Sequence, residues 1–125
     1  MAKFIKGILS GKELVVNGDG TQTRDYVYVD DICASIEKAL ISESTGVYQL
    51  GTGKPTSINR LLEMMVEIVG KYYSLNVRYG DFRPGEVRNT WCDIGKAKRE
   101  LHYEPKVSIE EGLRKTWNWF LESDW

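Results

Sequence analysis

The 125 residues are enough for one domain of ordinary size with a real core. Seventeen basic residues face 18 acidic ones with no basic cluster, which argues against nucleic acid as a partner. No apolar run approaches the length of a membrane span. In chain order, residues 3–10 place Phe4, Ile5, Ile8 and Leu9 on one helical face, and Gly11 ends that helix. Glu13–Val16 reads as a short strand. Gly18 and Gly20 then allow a tight loop whose backbone a ligand could approach. Tyr26, Val27, Tyr28 and Val29 alternate as in a short strand, with tyrosines on one face and valines on the other. Asp30 is placed to cap the next helix, residues 31–41, where Ile32, Ile36 and Leu40 share a face.

Residues 42–46 form a polar connector, Val47–Leu50 a short strand and Gly51–Pro55 a loop behind it. The clearest helix follows. Ile58, Leu61, Leu62, Met65, Val66 and Val69 recur at helical spacing, with Ser57 as cap and Gly70 as stop. Asn76–Tyr79 reads as a strand, and Asp81–Glu86 as a loop that turns at Pro84-Gly85. Thr90–Cys92 reads as a brief strand. Asp93 caps a short helix carrying Ile94, Ala97 and Leu101. Residues 103–106 form a connector. Ser108-Ile-Glu-Glu111 is a capping box for a last helix whose core face is Ile109, Leu113, Trp117, Phe120 and Leu121.

Met1–Leu9 is interrupted by two lysines and is no signal peptide. Cys33 and Cys92 lack metal-type spacing. They read as buried free thiols of a reducing compartment, although sequence leaves a bridge open. A cytoplasmic location follows.

Several short patterns fail on inspection. Gly51-x-Gly53 lacks the third small residue of a dinucleotide loop, since position 56 is Thr. Gly53-Lys54 lacks the earlier glycine of a P-loop. Asn17-x-Asp19-x-Thr21 lacks the sixth-position Gly and twelfth-position Glu of a calcium loop. Two cations remain. Arg24 stands where the glycine loop meets a strand; its bland alternative is a solvated side chain. Arg83-Pro-Gly-Glu86 holds a cation and a carboxylate on one turn. Arg83 could meet a phosphate with paired N–H donors while Glu86 accepts from ribose hydroxyls. The bland alternative is a surface turn with a weak ion pair.

The stretch from Gly18-Asp-Gly-Thr-Gln-Thr-Arg-Asp-Tyr to Asp30 resembles the Gly-Asp-Gly-x-Gln-x-Arg-Asp-aromatic segment of the extended short-chain dehydrogenase/reductases. These are NAD-dependent nucleotide-sugar epimerases and dehydratases, with UDP-glucose 4-epimerase the nearest type. Val47–Gly53 with Ser57-Ile58, Arg83–Glu86, and Asp93–Lys98 before Leu101 follow in the family's order. The likeness runs from about Lys3 to Leu121. It implies a mixed α/β fold, a small substrate-binding domain plus the last helix–strand piece of a Rossmann-type sheet. It also implies that residues 1–125 are one unit, the nucleotide-sugar-binding carboxy-terminal half. By resemblance, Arg24, Tyr26, Arg83 and Glu86 line the nucleotide site, the two guanidiniums converging on a diphosphate. Ile58 lies near the base. Many members carry Tyr or Phe before the first loop glycine; here Asn17 stands there.

The family's hydride chemistry needs an amino-terminal Gly-rich NAD loop and a Tyr-x-x-x-Lys pair. Residues four beyond the tyrosines are Asp30, Ile32, Thr52, Asn76, Val77, Arg83 and Val107, none of them Lys. His102 reads as structural. The resemblance therefore implies that NAD serves the complete enzyme, and that this chain alone binds no cofactor and is inactive by itself. It also implies that Val47–Leu50 and residues 31–41 pack on the cofactor domain. Bared, they favour self-association or pairing with a complementary NAD-binding half. A non-catalytic module binding a nucleotide or a protein, and a decayed fragment serving only association, stay open as alternatives.

Overall fold

Two helical faces and a pair of parallel strands account for most of the buried side chains. The computed structural model describes residues 1–123. In chain order the elements are α1 (Ala2–Leu9), β1 (Leu14–Asn17), β2 (Thr23–Asp25), α2 (Val29–Ile41), β3 (Pro55–Ser57), α3 (Ile58–Val69), β4 (Val77–Gly80), α4 (Gly95–Leu101) and α5 (Ile109–Glu122). A turn of 3-10 helix, Gly70–Tyr72, follows α3. The fold is mixed α/β, as expected. The chain divides into two compact units. One comprises residues 1–22, 57–88 and 113 onward; the other comprises residues 23–56 and 89–112.

In the first unit β1 runs parallel to β4, in register Leu14 to Val77 through Asn17 to Gly80. Each strand begins one residue later than its apolar pattern suggests. Ile5 and Ile8 of α1, Leu14 and Val16 of β1, and Leu61, Leu62, Met64, Met65 and Val69 of α3 are buried. α3 keeps its sequence limits. Ser57 Oγ accepts the Arg60 N–H at 3.1 Å, and Gly70 closes the helix at φ +61°. Val66 is exposed and Met64 takes the buried place, so the core face is turned slightly from the one expected. On α5, Leu113, Trp117 and Phe120 are buried while Leu121 is exposed. Tyr73 meets the Trp117 ring edge-on at 5.1 Å.

In the second unit β2 pairs with β3. Ile94, Ala97 and Tyr103 form its core, with Tyr48, Leu50 and Cys92 packed against them. α4 ends on His102, the one non-glycine described residue at positive φ (+49°). Tyr103 N–H reaches back to the Ala97 carbonyl at 3.2 Å, and Lys38 Nζ donates to the His102 carbonyl at 2.7 Å. His102 is thus a left-handed helix cap. Ser108 Oγ accepts the Glu111 N–H at 3.1 Å, the serine's part in the expected capping box.

Several expectations for this unit need correction. Tyr26–Val29 is not a strand: β2 ends at Asp25 and α2 begins at Val29. Tyr26, Val27 and Tyr28 are all half-buried, so no alternation of faces exists. The cap position of α2 is Tyr28, and Asp30 and Asp31 sit in the first turn, where carboxylates offset the helix dipole. Val47–Leu50 forms no strand. A strand needs a ladder partner, and none faces it among the described residues. Thr90–Cys92 is reduced to a single bridge of Asn89 with Thr23 and an N–H from Thr90 to the Thr23 carbonyl. Cys33 is exposed and Cys92 half-buried, so only their being free thiols matches. The apolar face of α2 is bare, as expected for residues 31–41: its buried residues are Asp31 and Ser35, while Ile36 and Leu40 stand in solvent.

Removing Met65 or Leu61 side chains leaves a cavity in a closed core. Met65→Ala should cost about 2–5 kcal/mol. Val66→Ala should stay within about 0.5 kcal/mol although it shares the helical period. Urea midpoints at constant slope check both.

Candidate functional site

The glycine loop is built into the first unit from both sides. Gly18 and Gly20 each adopt φ +74°. Gly18 N–H donates to the carbonyls of Gly80 (3.0 Å) and Asp81 (3.2 Å), so the loop hangs from the end of β4. Its Cα faces the Phe82 ring so closely that a Cβ would lie 2.5 Å from the ring carbons. Gly20 accepts the Asn59 N–H at 3.0 Å, Asn59 Nδ2 donates to the Asp19 carbonyl, and the Tyr79 hydroxyl donates to Asn59 Oδ1. Asp19 accepts from the Thr21 amide and hydroxyl, and Arg88 bonds both Asp19 and Thr21. The Thr21 bonds, then the Arg88 charge, hold the Asp19 carboxyl below its usual range.

The Arg-Pro-Gly-Glu segment is a tight turn. Arg83 accepts the Glu86 N–H at 3.2 Å, with Gly85 at φ +76°. Arg83 and Glu86 are both exposed. Ile58 is half-buried at the head of α3, its N–H given to the Gln22 carbonyl at 3.1 Å. The first unit therefore brings the glycine loop against the 80–88 segment and sets Ile58 on the helix beside it in sequence.

Arg24 and Tyr26 belong to the second unit. Arg24 is half-buried on β2, with one N–H on the Thr23 carbonyl at 2.7 Å. It lines a pocket of about 490 Å³ with Asp25, Gln49, Leu50, Thr90, Trp91 and Cys92. Tyr26 lines a different pocket, of about 420 Å³, with Thr52, Lys54 and Lys106 among its walls. Burial pushes its phenol above the usual range, against the pull of the Arg24 charge.

Asp25 organises this region. Its carboxylate accepts the N–H groups of Thr52 (2.8 Å), Gly53 (2.9 Å) and Cys92 (3.2 Å), and the Thr52 hydroxyl. Partial burial opposes its ionisation, but these bonds prevail and hold the carboxyl below its usual range. Gly51 is needed beside it: a Cβ there would lie 2.6 Å from Asp25 Oδ2 and 3.0 Å from Cys92 Sγ. Tyr103 donates to the Gly51 carbonyl at 2.7 Å. Burial, then the charges of Asp31, Asp25 and Cys92, push that phenol up to about 12. The Thr52 and Gly53 amides of this loop are thus spent on an internal carboxylate. That loop does not fit a dinucleotide pyrophosphate.

Arg88 and Phe82 were not singled out by sequence, nor was a task assigned to Asp25. Asp25 follows Arg24 directly, but its partners lie 27 or more residues away, so no sequence signal marks its task. Nothing in the spacing links Arg88 to Asp19. No cluster able to hold a metal, and no helix long and apolar enough to cross a membrane, occurs among the described residues.

A glycine loop and an Arg-x-Gly-acid turn joined on parallel strands define the carboxy-terminal part of an extended short-chain dehydrogenase/reductase. Residues 1–116 match the GDP-mannose 4,6 dehydratase family, and the chain belongs to that family. It is 42% identical over 122 residues to a UDP-glucuronate 4-epimerase of Thermodesulfobacterium geofontis, spanning 97% of this chain and 37% of that protein. Among solved structures, the UDP-glucose 4-epimerase of Thermotoga maritima with UDP-glucose superimposes with a TM-score of 0.88 at 40% identity, covering 97% of this chain and 38% of that one. The UDP-glucuronic acid 4-epimerase of Bacillus cereus with UDP-glucuronic acid and NAD gives 0.86 at 35% identity, covering 95% of this chain and 38% of that one. The chain therefore spans well under half the length of these relatives.

Asp25→Asn should lower stability at pH 7 by about 1–3 kcal/mol, because the loop amides lose a charged acceptor. The folded pKa is depressed, so this contribution is complete above the unfolded value of about 3.9 and disappears as pH falls through the folded value. Urea midpoints should therefore separate wild type from Asp25→Asn at neutral pH and converge in strong acid.

Proposed function

We propose that this chain is the nucleotide-sugar-binding portion of an NAD-dependent UDP-sugar epimerase and does not perform the epimerisation alone. The observation that carries this reading is the likeness, over 97% of the chain, to an epimerase structure that holds UDP-glucose. Arg24 supplies a guanidinium to the diphosphate and Tyr26 packs by the nucleotide. Arg83 offers a second guanidinium, Glu86 accepts a ribose hydroxyl, and Ile58 lies by the base. Charge-assisted N–H bonds of this kind suit a diphosphate because both its oxygens and its charge are met at once. NAD belongs to the complete enzyme, by analogy with the Bacillus cereus structure that contains it. The Thr52 and Gly53 amides of the 51–53 loop are already taken by Asp25.

Calorimetric titration with UDP and UDP-glucose tests the reading. Arg24→Ala with Arg83→Ala should weaken binding at least about tenfold for each lost charged contact of ordinary strength. A folded wild-type chain that binds neither ligand would refute binding by this portion alone.

The apolar side of α2 supports a partner. Leu40 and Ile41 are 80% and 88% exposed, with Val29, Ile36 and Val47 also bare. A helix that buries Asp31 and Ser35 and bares its aliphatic residues is presenting a surface for association. The partner is a complementary NAD-binding half; a second copy of this chain is the other outcome. Alone, the protein should bind an apolar dye and sediment as an assembly, and Leu40→Glu should reduce both. The NAD-binding half of a relative, added in trans, should suppress dye binding. A dye-silent monomer would remove the case for any partner on this face.

A further inference from the structure

We propose that Arg88 is a positioning residue that holds the glycine loop in the shape its ligand needs. One of its terminal nitrogens, Nη2, donates to Asp19 Oδ2 at 3.1 Å and to Thr21 Oγ1 at 2.8 Å. The guanidinium carbon also lies 5.5 Å from the centroid of the Phe82 ring. Phe82 in turn rests against Gly18, the first residue of the loop. A planar guanidinium can bond at its edge and stack on its face together, and an ammonium cannot. Arg88 therefore grips the loop twice, once through Asp19 and Thr21 and once through the ring that backs Gly18.

Backbone bonds anchor the loop at Gly18 and, through Asn59, at Gly20 and the Asp19 carbonyl, while Arg88 braces the Asp19 and Thr21 side chains. Gly18 and Gly20 sit at positive φ, and the Asp19 carboxylate takes the Thr21 amide and hydroxyl. The Arg88–Asp19 pair is half in solvent, with side chains 57% and 47% exposed. Such a pair adds little to global stability. Its removal should loosen the loop without unfolding the unit. The same segment carries Arg83 and Glu86, five and two residues before Arg88 in the sequence. The effect on ligand affinity rests on the nucleotide-sugar reading; the effect on the loop does not.

The test pairs amide hydrogen exchange of the free protein with UDP titration, for Arg88→Ala, Arg88→Lys, Asp19→Asn and the Arg88→Ala, Asp19→Asn double variant. Exchange at Gly18 and Thr21 should quicken about threefold to fivefold in Arg88→Ala, as fits a lost exposed charge pair, with an unchanged Tm. Affinity for UDP should fall by a similar factor. Arg88→Lys should restore only part of each, and the double variant should match the worse single variant, because both act through one contact. Unchanged exchange, unchanged affinity in a wild-type-competent background, or additive losses in the double variant would each overturn the proposal. If wild type itself binds no UDP, the nucleotide reading fails and the exchange arm still decides the role of Arg88.

Discussion

One carboxylate stands where three stretches of chain must meet. Asp25 collects amides from the 51–53 loop and from Cys92, and it directly follows Arg24. Its unit has few ladder bonds to offer: β2 and β3 are three residues each, and the 47–50 and 90–92 stretches form no strand. Side-chain acceptors do the work that strands do elsewhere. Asp31 repeats the device, taking the Lys106 and Val107 amides at 2.9 and 3.1 Å and fixing the approach to α5. A buried amide without an acceptor is costly, so each aspartate constrains several residues at once.

The first unit solves the same problem by backbone pairing. β1 and β4 satisfy each other, and the glycine loop springs from their shared end. Close approach replaces side-chain bulk there. Phe82 fills the space that a Cβ at residue 18 would need, and Asn59 fills the space at residue 20. Rigid elements thus present a loop made of small residues, an economical way to keep backbone donors near a ligand.

What sequence reveals depends on range. α3 was legible to the residue because its cap, stop and apolar period are all local: Ser57, Gly70 and the run between them. The turn at Pro84-Gly85 and the capping serine of α5 are local in the same sense. The Tyr26–Val29 alternation misled because β pairing is decided by a partner, and the partner strand reaches only residues 23–25. Ile32, Ile36 and Leu40 truly share a face of α2, but periodicity cannot say what covers a face. Asp25 and Arg88 stayed hidden for the same reason. Their partners lie far along the chain, and no spacing rule encodes such a meeting. The Arg83 and Glu86 motif marks a turn without disclosing that Arg88 braces the neighbouring loop.

The interleaving of the two units bears on how the chain emerges from the ribosome. Each unit draws on separated stretches, and the first needs residues 113 onward to finish its core with Trp117 and Phe120. β1 must wait for β4, and Asp25 must wait for Cys92, while the residues between them are still being made. Neither unit can close domain by domain during synthesis in the usual amino-to-carboxy order. Both units therefore close late, only after the residues from 89 through α5 have been made.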